Sequence, residues 1–515
     1  MTLLPHILAL AMGSLPLWLM WPRTTVGGKQ RDAFRLNGRV PGEALLILCL
    51  GFPLGAGMLG LGYFGLLTIG VDNVWGAMGV AVLPSGLAWL FRTRAAEEPL
   101  PAELPEEEQN EPKPEPPGQP LSAFPGNWML GLAVAVGVVA VCAAIAGIVE
   151  KSPYGAWDSW AIWSVRGKFL AAGTEFWQNA VDPGFRMSHP EYPVLLSSYL
   201  GWAWRVAGLE TVGIPQGTAF AYLLSLVGMT GAGVAMLRRT SLGLMAILVL
   251  LSPIVMVTVP ASLYADLPMG VVSLAGGLLL LLGASGAGTV RLFVVAGVFA
   301  SYCAWMKEEG LLHLLVLALL AAGMSASFRA KLAGWWKPGL AFFLGALPLG
   351  LSLWWFRIAF APSTATRFAE SASRRGESGG TSMISRALDL SRYGEIVEQI
   401  WALVATLGDL LTHPMLLLLA AGLLLGCRRE HLRGRTVLGA TTMLALLWGG
   451  YLASFVLLGG RPGSILAASL HRIWLHTWPL LVVAVFLSVN APEEHAEVSV
   501  PVSGGAAKGK KGRTR

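Results

Sequence analysis

The sequence predicts an all-α protein, a polytopic transmembrane helical bundle, on three observations. The 515-residue chain is 54% hydrophobic and only 13% charged, with a mean hydropathy of +0.61, whereas average soluble domains carry about 25% charged residues. Its apolar runs continue for roughly 17–25 residues, the length that crosses a bilayer as a helix with every backbone group satisfied internally. They lack the period-2 alternation of a membrane β-barrel.

The net charge of +7 could suggest nucleic acid, but in a membrane chain Lys and Arg gather in cytoplasmic loops and orient the helices; no nucleic-acid partner is expected. Cys49, Cys142, Cys303 and Cys427 all lie in apolar segments. Their spacing fits neither a zinc site nor a disulfide framework, so they read as small buried hydrophobes. The first apolar segment, about residues 3–21, has no basic leader and no small-residue cleavage site, and reads as a retained helix.

About 13 helices are expected. A loop holding Arg23, Lys29, Arg31, Arg35 and Arg39 follows the first; short basic loops stay in the cytoplasm, which puts the N-terminus outside. Helices at about 44–69 and 73–91 lead back to Arg92 and Arg94, completing a three-helix extension over 1–94. Residues 95–126 form a Glu/Pro-rich cytoplasmic linker that cannot bury a core, a spacer or a docking tail. The larger body, 127–490, starts with a helix at about 127–149 that delivers an external loop over 150–212. Helices at about 193–208 (inside that loop), 215–237, 242–259, 267–284, 290–305, 310–326 and 338–360 follow, with inner turns marked by Arg238–Arg239, Arg291 and Arg329, Lys331 and Lys337. A second external loop over 361–410 leads to helices at about 411–427, 436–458 and 473–490, and a basic cytoplasmic tail occupies 491–515. Every basic cluster closing a short loop falls on one side. The long loops, expected to carry interfacial helices, therefore face outward.

Ionisable groups at membrane depth are expensive and mark functional cavities. In the first external loop Trp157, Trp160 and Trp163 recur every third residue, describing a short interfacial helix whose tryptophans anchor it. Asp158 beside them is either a helix N-cap or a carboxylate facing a cavity as general base or metal ligand. Asp266, in SLYADLP together with Tyr264, could cap the next helix or approach the first loop as a second carboxylate. Lys307 and Glu308 in MKEEG, Arg472 before the last helix, and Arg166 and Lys168 in the first loop supply cations and an acid at the cavity mouth, suited to a phosphate leaving group; snorkelling is the alternative for Lys307. His189, Glu191 and Tyr192 lie in HPEYP, where His189 either contacts a sugar or caps a helix.

The stretches WDSWAIW, HPEYPVLL, SLYADLP, MKEEGLL and SLHRIWLHTWPLL follow the order seen in the GT-C superfamily of membrane glycosyltransferases. The chain resembles this superfamily over about residues 127–490, most closely the polyprenyl-phosphate-sugar-dependent branch with lipid A aminoarabinose transferases and protein O-mannosyltransferases. The resemblance implies a GT-C-like bundle with Asp158 as the essential acid of the first external loop and Asp266 as the second acidic residue. It implies an inverting transfer from a polyprenyl-phosphate-linked sugar donor to a glycan, lipid or protein acceptor, among membrane lipids. The setting it implies is the bacterial inner (plasma) membrane, with a periplasmic or extracellular active site. Many members carry a second acidic residue where this chain has Ser159, and HPEYP replaces the HPP of the mannosyltransferases; a divalent cation, Mg or Mn, is left open. No P-loop or dinucleotide fingerprint is present. The rival reading is a transporter or flippase of a lipid-linked substrate, which would show paired inverted repeats and helices broken at the midplane. The halves of this chain do not repeat.

Overall fold

The apolar runs fold as helices. A computed structural model of the chain describes residues 1–21, 24–26, 29–31, 41–95, 126–287, 290–327, 336–361, 383–410, 412–457 and 462–494. The Glu/Pro linker, the tail beyond 494, Arg329 and Lys331, and the start of the second long loop lie outside these residues. Helices α1 (Leu4–Met20), α2 (Pro41–Thr68) and α3 (Val74–Ala95) precede the linker, with a small antiparallel ribbon pairing Thr24–Val26 and Lys29–Arg31. Then come α4 (Asn127–Lys151), α5 (Val165–Ala171), α6 (Leu195–Ala207), α7 (Gly213–Leu237), α8 (Thr240–Leu251), α9 (Val255–Ala261) and α10 (Asp266–Leu282). The chain continues through α11 (Val290–Met306), α12 (Gly310–Ser327), α13 (Lys337–Ala359), α14 (Met383–Leu388) and α15 (Leu390–Ala405). It closes with α16 (Pro414–Leu425), α17 (Arg429–Leu432), α18 (Arg435–Leu457) and α19 (Pro462–Ser488).

Among the described residues, 7 helices are long and apolar enough to cross a membrane, or up to 8 if the bent pair α8/α9 is one span. Apolar helices of 10–17 residues, such as α1, α11 and α16, accompany them. The protein is thus a helical membrane protein. Its N-terminal helices are not a separate body: α2 packs on α6 and α7, and α1 on α2 and α6.

Two expectations about helix limits change. The helix expected over 242–259 is broken, with α8 and α9 meeting at 66°. Pro253 lies in the break, where it lacks an N–H and clashes with the preceding turn. The last helix begins at Pro462, not near 473. Proline is favoured at the first helical position, and Leu466, Leu470 and Ile473 then fall on one buried face. Together with Tyr451, Phe455 and Val456 of α18 and Ile396 of α15 they form a second, smaller apolar core.

Helix α10 is the axis of the bundle. The whole of its apolar window is buried, against 11% for α4, which turns Trp128, Met129, Leu132, Val136 and Val139 outward. Around α10 stand α7, α11, α12, α18 and α19, so polar groups on it are held inside the bundle.

Candidate functional site

Four stretches distant in sequence meet where α10 begins. The first is the long loop after α4. Gly155 there has φ +71°, a left-handed conformation glycine adopts without a Cβ penalty. A Cβ on it would lie 2.5 Å from the Ser262 carbonyl oxygen. The backbones therefore touch, and Ala156 N–H donates to that carbonyl at 3.1 Å. This contact pins the loop to the second stretch, Ser262–Asp266, where Leu263 also has a positive φ of 56°. Non-glycine residues held in such conformations need support from their surroundings and cluster at functional sites.

Asp158 precedes a π-helical turn, Ser159–Ser164, and makes no side-chain cap bond. Such turns occur at functional sites more often than elsewhere. The turn splits the three tryptophans: Trp163 is buried, whereas Trp157 and Trp160 are exposed, edge to face at 4.6 Å. The carboxylate of Asp158 is engaged by α19: Arg472 Nη2 donates to Oδ2 at 2.6 Å. Nothing among the described residues donates to Oδ1.

Asp266, fully buried in the first turn of α10, is no cap either. It accepts from Lys307 Nζ at 2.9 Å, Arg472 Nε at 2.9 Å and His476 Nε2 at 3.1 Å. Arg472 and His476 are four residues apart on α19 and so share a face. Their reach is short because α10 and α19 nearly touch: a Cβ on Gly270 would lie 2.9 Å from the Leu475 carbonyl oxygen. Arg472 thereby bridges both carboxylates, and its guanidinium carbon stands 4.6 Å from the centroid of the Tyr264 ring, a cation–π contact.

Helix α19 is the third stretch, and the turn between α11 and α12 is the fourth. Lys307 there is nearly inaccessible. Burial opposes its charge, but the carboxylates of Asp266 and Glu309 outweigh it and hold the pKa above the ordinary lysine value. Glu309 is held below the ordinary glutamate value: its partial burial works the other way, and the Lys307 ammonium at 3.5 Å prevails.

These groups enclose a cavity of about 230 Å³ lined by Asp158, His189, Tyr192, Asp266, Lys307, Glu309 and Arg472, with Ile162, Ser469 and Ile473 completing the wall. His189, φ 50°, stacks on Tyr192 at 4.7 Å, and Tyr192 on Trp163 at 6.0 Å. Glu191 accepts from His189 Nδ1 at 3.0 Å. Burial, reinforced by Glu309 and Glu191, pushes the Tyr192 phenol well above its ordinary pKa, so it meets the cavity as a neutral hydroxyl.

Three expected residues stand elsewhere. Arg166 is fully buried and donates to the carbonyls of Ala180, Tyr192 and Pro193 at 2.7, 2.7 and 3.4 Å. It clamps the loop and offers nothing to a phosphate. Burial pulls its pKa down to about 9, so it is charged at neutral pH. Lys168 is exposed and pairs with Glu210 at 3.7 Å. Glu308 pairs with Arg357 at 3.1 Å, away from the cavity. Tyr264 lies against Arg472 and Glu191 behind His189, neither lining the cavity itself. Arg472, expected before the last helix, is within it. Sequence reasoning missed His476, although an Arg and a His spaced by four within an apolar helix was the available signal.

The residues present do not fit a divalent cation between Asp158 and Asp266, because the Arg472 guanidinium fills the position between the two carboxylates. Among the described residues no three His, Cys, Asp or Glu side chains gather as a metal site.

No protein-family model, curated protein or solved structure matches the chain.

Proposed function

We propose that this protein is a GT-C-like integral membrane glycosyltransferase that uses a polyprenyl-phosphate-linked sugar. The observation that carries the reading is the pairing of Asp158, a partly accessible carboxylate with Oδ1 unengaged, with two cations, the buried Lys307 and the partly accessible Arg472, at one cavity. Asp158 takes the proton of an acceptor hydroxyl as its oxygen attacks the anomeric carbon. The bond from that carbon to the phosphate oxygen breaks, and its electron pair leaves on the polyprenyl phosphate, whose added negative charge Arg472 and Lys307 offset. Attack opposite the leaving group inverts the anomeric carbon. Both oxygens of Asp266 are taken by Lys307, Arg472 and His476; it orients Arg472, and through it Asp158 in the first loop. His189 and Tyr192 offer the polar and stacking surface a sugar ring requires. The site faces outward in the proposed topology, where lipid-linked sugars serve as donors.

The test is a transfer assay in reconstituted membranes with a polyprenyl-phosphate sugar. Asp158→Asn should lower transfer by roughly 10²–10⁴-fold, the usual worth of a general base, with an unchanged melting temperature. Near-wild-type transfer by that variant would remove Asp158 from the mechanism.

A further inference from the structure

A row of buried hydrogen bonds leads away from the cavity and is not used by the transfer step. His476 Nε2 meets Asp266 Oδ1 at 3.1 Å, and its Nδ1 meets the Tyr451 hydroxyl at 2.9 Å. The same hydroxyl meets His313 Nε2 at 2.8 Å, and His313 Nδ1 meets Ser273 Oγ at 2.6 Å. The row thus leaves α10, crosses α19, α18 and α12, and returns to α10 two turns further along. All five side chains are buried.

One choice, a neutral His476, sets the direction of every bond. Asp266 is a carboxylate held by Lys307 and Arg472 and can only accept, so His476 donates from Nε2. With His476 neutral, its Nδ1 carries a lone pair, and Tyr451 must donate to it. The Tyr451 oxygen then accepts from His313 Nε2–H, which leaves His313 Nδ1 to accept from Ser273. Each donor points towards Asp266, and hydrogen bonds aligned head to tail polarise one another in a low-dielectric interior. Past Ser273, α10 continues as LAGGLLLLL, so the row ends within the bundle and carries no proton across it.

We propose that Tyr451 and His313 are positioning residues that hold His476 as the neutral Nε2–H tautomer, so that Asp266 keeps Arg472 set against Asp158. The hydrogen-bond order follows from the distances together with a neutral His476; its effect on transfer rests on the glycosyltransferase reading. No proton has to move along the row. Its service is to supply Asp266 with a third, strictly oriented donor.

Two measurements on the full chain in lipid nanodiscs separate these claims. In ¹⁵N-histidine spectra, assigned by the signals lost in His476→Gln and His313→Gln, both rings should be neutral with the proton on Nε2. Tyr451→Phe should shift the His476 Nδ1 resonance towards that of a lone pair without a donor. An Nδ1–H tautomer or an imidazolium at His476, or no shift in Tyr451→Phe, would overturn the proposal. In the transfer assay, Tyr451→Phe should lower kcat roughly tenfold, about the worth of one hydrogen bond, with KM unchanged; a change in KM alone would refute the positioning role. Wild-type protein inactive with polyprenyl-phosphate sugars would overturn the glycosyltransferase reading, while the spectra still decide the row.

Discussion

Lys307 shows how a single residue carries the site. Its Nζ is 2.9 Å from Asp266 and 3.5 Å from Glu309, and water hardly reaches it. Removing one partner of a buried ion pair leaves an uncompensated charge and costs about 3–5 kcal/mol. Lys307→Met should therefore destabilise the protein by that order, measured as a lower midpoint in SDS or thermal unfolding. The pH dependence has a definite sign. Its folded-state pKa is raised, so the stabilisation is present below the ordinary lysine value and fades only as pH climbs through the raised one. The ammonium stays in place throughout the neutral range. Arg166 teaches the opposite lesson: a sequence marks it as cationic, and only the fold reveals that its charge is spent on three backbone carbonyls.

At the scale of elements, the helices were legible because apolar run length sets where a chain can cross a bilayer. Their junctions were less so. Pro253 announces a break, but apolar residues on both sides concealed it. The polar look of GGRPGSILAASLHR concealed the first three turns of α19, and with them the alignment of Arg472 and His476. Asp158, Asp266, Lys307 and Arg472 were each conspicuous, but their convergence depends on helix packing that no local pattern encodes. The row through Tyr451 and His313 was invisible for the same reason, since a tyrosine or a histidine alone in an apolar helix suggests nothing. The junction at Gly155 offers a direct check. Gly155→Val would place a Cβ against the Ser262 carbonyl at a positive φ, and such strain costs on the order of 1–3 kcal/mol. The first loop should lift from Ser262–Asp266, read as faster proteolysis between about residues 174 and 190 with the bundle still folded.

For the whole molecule, the burial pattern separates a sequestered axis, α10, from flanking helices such as α4 and α13 that present apolar side chains outward. The proposed orientation puts the turn holding Cys427 in the cytoplasm and Asp158 outside. Cys427 is exposed, Cys49 and Cys303 are buried, and Cys142 is intermediate. A membrane-impermeant maleimide should therefore leave intact cells unlabelled, label Cys427 after permeabilisation, and label Ser152→Cys without it. The reverse pattern would invert the topology. A transporter would open its site to both sides in turn, so a cysteine in the cavity wall, Ser469→Cys, that reacts with the maleimide from either side would favour that reading instead.

The cavity also has an electrical balance sheet. Three carboxylates, Asp158, Asp266 and Glu309, face two fixed cations, Lys307 and Arg472, an excess of one negative charge before anything binds. A phosphodiester arriving there deepens the excess unless a proton or small cation comes with it. If the proposed donor binds there, association would be thermodynamically linked to ion uptake, and by reciprocity the ion's concentration would set how tightly the anion is held. On the proposed reading, a site that arranges a phosphate's departure would thus also hold it loosely.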